Sequence, residues 1–193
     1  MKKDKSIIVS FVLLVIIASL YRVLPGRPLG FAPQIAMALF SGSIVKDKKF
    51  AFLLPLLTML FSDIIYEMLF QFKISSIPGF YSGQFLNYTL FVALTVVGFA
   101  IKKSNPVQII AGSVAGTLLY FLLSNFTVWI GGGLDITNMP YPKTVDGLIT
   151  CYTAALPFLR GSMYATLIFS GILFGGYALF TKYFVQKSLV AQL

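Results

Sequence analysis

Lys46-Asp-Lys-Lys-Phe50-Ala-Phe-Leu-Leu-Pro55-Leu-Leu-Thr-Met-Leu60-Phe-Ser-Asp63-Ile-Ile-Tyr66-Glu67-Met-Leu-Phe70 is the stretch that decides the fold. A basic cluster opens it. An apolar run from Phe50 to Phe70 follows. At a rise of roughly 1.5 Å per residue, that run matches a hydrocarbon core of about 30 Å. Pro55 lies inside it and predicts a kink. The only charges within the run, Asp63 and Glu67, lie about 20 and 26 Å from Phe50. They are four residues apart and share one helix face.

The same alternation continues in both directions. Apolar runs over 6–24, 29–45, 50–70, 85–101, 107–130 and 161–184 are separated by short polar segments. Lys2, Lys3 and Lys5 precede the first run. Lys46, Lys48 and Lys49, then Lys102 and Lys103, then Lys182 and Lys187 mark the alternate gaps. The intervening gaps hold fewer bases: Arg22 and Arg27, Lys73, Lys143 and Arg160. Short loops rich in Lys and Arg stay in the cytoplasm. The pattern predicts an all-α integral membrane protein of six transmembrane helices in a single domain over 1–193. Both termini are expected in the cytoplasm of a bacterial inner membrane. The first run resembles a secretory signal, but Tyr21 and Arg22 follow where a small-residue cleavage site belongs, so it is read as a retained span.

Composition agrees. The chain is 58% hydrophobic and 11% charged; soluble domains carry about 25% charged residues. Its net charge of +9 reads as orientation and attraction to anionic lipid. No basic stripe with interleaved aromatics points to nucleic acid. The one cysteine allows no internal disulfide, and the absence of histidine removes the usual metal ligand and general base. With no nucleophile constellation either, no enzyme is predicted.

Between Gly131 and Arg160 the outer segment is more than a loop. Leu148, Ile149, Tyr152, Ala155 and Leu156 keep the spacing of one helical face. They predict a short extra interfacial helix before the last span.

Polar side chains gather in the outer half. Asp63, Tyr66 and Glu67 come from the third span, Asn125 and Trp129 from the fifth, and Arg160 and Tyr164 from the sixth. Charged groups in a bilayer usually serve a purpose. The inner half is apolar throughout. This predicts a cup open to the outside, with Phe80, Tyr81, Tyr141 and Tyr152 closing over a ligand. Plainer readings stand beside it. Asp63 would pair with Arg160 or Arg22 and lock the bundle. Trp129 and the tyrosines would form an interfacial belt. Asn125 would join helices. Cys151 would be a small buried residue, its sharper reading being a soft ligand for a transition metal or a cobalt centre. Gly112-x-x-x-Gly116 and Gly171-x-x-x-Gly175 read as helix-packing positions. Ser6-x-x-x-Ser10 marks a place where a partner would dock.

Four stretches carry a family resemblance: Phe31-Ala-Pro33-Gln-Ile-Ala-Met-Ala-Leu-Phe40-Ser-Gly42, Leu54-Pro55 through Ser62-Asp63, Ser124-Asn125-Phe-Thr-Val-Trp129, and Cys151-Tyr152 through Pro157-Phe-Leu-Arg160. The chain resembles a family of small six-span bacterial membrane proteins of largely unknown function. That family is similar to the substrate-binding (S) components of energy-coupling-factor transporters, nearest the BtuM-type cobalamin transporters. The resemblance implies a six-helix S-component bundle, a vitamin-like ligand with a cobalamin-type corrinoid as first expectation, and partners in the form of a T component and two ATPase subunits. No resident cofactor is implied; cobalamin would be the substrate. Ala18 lacks the small-residue partner seen in the first span of S components. The cobalt-ligating cysteine of BtuM-type members stands in a different loop from Cys151. The alternative is a structural or accessory subunit of a larger membrane complex with no small-molecule ligand.

Overall fold

The computed structural model describes the backbone of residues 2–190 and the side chains of residues 9–183. Ser6 and the basic residues Lys2, Lys3, Lys5 and Lys187 therefore lie outside the described side chains. Six helices make up the fold: α1 (Lys2–Val23), α2 (Gln34–Ile44), α3 (Lys48–Gln71), α4 (Gln84–Gly98), α5 (Pro106–Ile130) and α6 (Val145–Val190).

Side-chain contacts fix their directions. Ser19 of α1 bonds the Thr58 carbonyl of α3, and Arg22 reaches Ser62, so α1 and α3 run parallel. Ser41 of α2 meets Ala51 while Met37 meets Thr58, so α2 runs against α3. Phe52 stacks on Phe99 and Asp63 bonds Tyr88, which sets α4 against α3. Ser113 of α5 bonds Ser170 of α6, and Leu122 accepts from Tyr152, which sets those two antiparallel. Successive helices thus alternate in direction. Lys46, Lys48, Lys49, Lys102 and Lys103 collect at one end, the basic end. The connections 24–33, 72–83 and 131–144 lie at the other, the loop end.

Helix α2 is the centre. Every residue from Gln34 to Gly42 is buried, against α3, α4, α5 and α6. A helix that is apolar all round belongs inside a protein. It is shorter than the sequence predicts. Gly30 adopts a left-handed φ of 72° and Pro33 caps the helix, its carbonyl accepting from Met37 N–H at 2.9 Å. The remaining 11 residues reach only about 16 Å. Its crossing with α4 depends on two glycines. A Cβ at Gly42 would run into the Thr95 carbonyl, and one at Gly98 into that of Leu39. Met37, Leu39, Leu54 and Leu94 fill the core toward the basic end.

Three helices among the described residues are long and apolar enough to cross a membrane: α3, α5, and α6 over Val145–Tyr183. Helix α3 continues through Pro55, with Thr58 donating to the Leu54 carbonyl at 2.7 Å. Asn105 starts α5 by accepting from the N–H groups of Val107 and Gln108.

Helix α6 corrects one expectation. No separate interfacial helix precedes the last span. The helix is continuous for 46 residues, about 69 Å at the standard rise. Pro157 lies within it, and tertiary contacts hold it on course there. Ser162 donates to the Gly30 carbonyl at 3.1 Å. Gly161 lies against the Leu29 carbonyl, where any Cβ would collide. The face running through Leu148, Tyr152 and Ala155 is the first part of this same helix.

Candidate functional site

Polar groups at the loop end divide into three clusters. The first centres on Asp63, which is 1% exposed. Arg22 Nη1 pairs with its Oδ1 and also donates to Ser62 Oγ at 2.6 Å. Oδ2 accepts from Gln84 Nε2 and from Tyr88 OH, both at 2.7 Å. Tyr66 OH donates to the Arg22 carbonyl at 2.8 Å, and Arg27 reaches Tyr66 OH at 3.4 Å. Breaking a buried ion pair by removing one partner costs about 3–5 kcal/mol. This cluster ties α1, α3 and α4 together.

The second cluster pins the α3–α4 connection. Glu67 accepts from Gly79 N–H at 3.1 Å, from Phe80 N–H at 3.4 Å and from Gln71 Nε2 at 2.7 Å. Gly79 is required there, because a Cβ would collide with the Asp63 carbonyl and with Glu67.

The third cluster shapes the α5–α6 connection. Trp129 Nε1 donates to the Pro142 carbonyl at 2.8 Å, and Lys143 donates to the Trp129 carbonyl. Tyr141 N–H donates to the Gly133 carbonyl at 3.1 Å. Asp135 accepts from Thr137 Oγ1 at 2.6 Å and from Met139 N–H at 3.1 Å, and these bonds, the hydroxyl's first, hold its carboxyl below the ordinary range. Burial pushes the Tyr141 phenol up.

Three cavities open between these clusters. One of about 330 Å³ is lined by Asn125, Tyr141, Cys151 and Ser162 among others. A second of about 560 Å³ lies between Tyr81, Asn87 and the Gly131–Gly133 turn. The third, of about 190 Å³, is lined by Arg22, Gln34, Asn87, Phe91 and Tyr120. Tyr120 borders all three. Its hydroxyl donates to Asn87 Oδ1 at 2.6 Å, and Asn87 Nδ2 donates to Tyr81 OH at 2.7 Å.

The residues expected to form the cup are placed unequally. Tyr81, Asn125 and Tyr141 line cavities. Asn125 donates to the Phe121 carbonyl of its own helix at 2.8 Å. Asp63, Tyr66 and Glu67 are engaged in the networks above. Trp129 holds the α5–α6 connection. Tyr152 OH donates to the Leu122 carbonyl at 2.6 Å. Phe80 and Tyr164 are 52% and 60% exposed. Arg160 is exposed and stands apart from Asp63, whose cationic partner is Arg22. Cys151 is buried, its Sγ 3.5 Å from the Asn125 carbonyl oxygen. Ser10, of the predicted docking pair, is exposed. Among the described residues, no three His, Cys, Asp or Glu side chains are grouped to hold a metal.

Sequence reading passed over Gln34. It is 3% exposed, and both Nε2 and Oε1 lack a hydrogen-bond partner. A buried polar group left unpaired costs about 1–3 kcal/mol. Its signal was present: it is the one amide in the apolar stretch from Phe31 to Phe40.

A family model described as "Family of unknown function (DUF6580)" matches residues 2–189. No curated protein and no solved structure matches the chain.

Proposed function

This chain belongs to the family of unknown function (DUF6580), and from that premise we propose that it is a membrane-embedded binding subunit for a vitamin-sized nutrient, comparable to the S component of an energy-coupling-factor transporter. The observation that carries the proposal is the contrast along the bundle axis. Three cavities meet around Tyr120 at the loop end. The basic end is packed with Met37, Leu39, Leu54 and Leu94. A one-sided opening suits capture from outside, and aromatic walls with a few polar groups suit a small organic ligand.

In this reading all six helices lie in a bacterial inner membrane, in one domain. The basic end faces the cytoplasm, as do both termini. The alternating helix directions support that arrangement. Helix α2 is too short to cross alone, but it is enclosed by other helices, where a short segment is tolerated. The protein acts by binding and carries no catalytic step. A T component and two ATPases would energise release. The exposed Ser10 marks a face where such a partner would dock. A corrinoid would need the three cavities to merge through movement of Tyr120. Smaller ring-containing vitamins fit without that change.

The test is equilibrium binding of purified protein to cobalamin, thiamine, riboflavin, biotin and folate. One of them should bind saturably at the loop end. A blank across the panel, together with a pull-down that recovers neither a T subunit nor ATPases, would instead mark a structural subunit of a larger membrane complex.

A further inference from the structure

We propose that the cavity of about 190 Å³ beside Gln34 takes a neutral chemical group with a paired donor and acceptor edge: a carboxamide, lactam or cyclic imide. The proposal rests on the binding-subunit reading above and names the ligand chemistry of that site.

Hydrogen-bond accounting around the cavity supports this. Gln34 offers an N–H donor and a C=O acceptor side by side, and both are buried and unpaired. Its polar neighbours already have partners. Asn87 uses its amide on Tyr81 and its carbonyl on Tyr120. Ser162 donates to the Gly30 carbonyl. Arg22 is paired with Asp63, so its charge is balanced within the protein. Beside the remaining N–H donors of Arg22 and Asn87, what is left open is one wholly unpaired amide edge without net charge. The complement of an amide edge is another one, joined by two antiparallel N–H···O bonds. Ile35, Met59, Phe91 and Phe158 supply apolar walls, which suit a flat ring. The volume admits one ring. The two larger cavities sharing Tyr120 would receive the rest of the ligand.

The test uses the full chain in detergent with nicotinamide and uracil as probes. N,N-dimethylnicotinamide and benzoate serve as controls that lack the edge or carry charge. We expect saturable binding of both probes and at least about tenfold weaker binding of both controls, as follows from losing a pair of buried hydrogen bonds. Gln34→Met should weaken probe binding by a similar factor, while its unfolding temperature stays level or rises. The comparison of probe with control in the unaltered protein needs no variant, so a poorly folding Gln34→Met leaves the proposal testable. Equal binding of probe and control, or probe binding that survives Gln34→Met, overturns it. So does failure of both probes to bind, which would leave only ordered water in the cavity. A vitamin that binds unchanged to Gln34→Met would sink the edge reading and leave the binding-subunit reading intact. Silence from every vitamin and every probe would sink both.

Discussion

Asp63 and Gln34 are both buried near the loop end, and their surroundings are opposite. Asp63 has both carboxylate oxygens bonded, to Arg22 on one side and to Gln84 and Tyr88 on the other. Gln34 has neither end of its amide bonded. The charged group, which looks functional in the sequence, has three donors on its carboxylate and its charge balanced by Arg22. The neutral one, which looks like filler, has all of its bonding capacity left. A buried polar group speaks for a ligand through what remains unpaired on it, and charge alone is a poor guide.

Several measurements would break or sharpen that contrast. The largest effect is expected for Asp63→Ala, which leaves the Arg22 guanidinium unpaired. The folded state should lose about 3–5 kcal/mol, read as a large fall in unfolding temperature in detergent; a small fall would make Asp63 dispensable to the scaffold. Gly79→Ala forces a Cβ against the Asp63 carbonyl and Glu67. Overpacking of this kind costs about 1–3 kcal/mol, and proteolysis of the α3–α4 connection should speed up accordingly. Tyr88→Phe removes one of the two donors to Asp63 Oδ2 and should cost about 1 kcal/mol by the same thermal assay. Arg160→Ala removes an exposed side chain and should change stability by less than about 0.5 kcal/mol. A larger loss would show that Arg160 shares the work of Arg22.

The smallest effect concerns pH. Asp135 has a carboxyl held below its usual value of 3.8 by Thr137 and Met139. A lowered carboxyl adds order above that range and loses it as acid protonates it. Amide-exchange protection in the 131–144 connection, taken relative to the intrinsic rate at each pH, should therefore be constant at neutral pH and fall only below about pH 4. Asp135→Asn should remove that dependence.

Much of the fold was legible. Each long apolar run became a helix because a stretch without charges or turn residues can bury its backbone only by internal hydrogen bonding. The site was less legible. Asp63 was visible as a buried charge, but Arg22 and Arg160 competed as partners at equal sequence plausibility. Arg22 prevails because parallel packing of α1 on α3 sets it beside Ser62. Pro157 removes a backbone donor within α6, at a position that would end an isolated helix. The packing of Gly161 on Leu29 and of Ser162 on Gly30 carried the helix through instead. Helix α2 gave no amphipathic signal, since it is surrounded on every side.

Taken alone, the sequence settled the helical class, the alternation of the apolar runs and the end at which the basic residues collect, while it predicted one helix more than the six that form. These follow from local properties: apolar run length, capping residues and charge spacing. Only the tertiary structure decided which polar groups are spent and which are left over. That outcome depends on how each helix is rotated about its axis and on what a neighbour far away in the chain presents to it. Gln34 and Asp63 differ in just this respect.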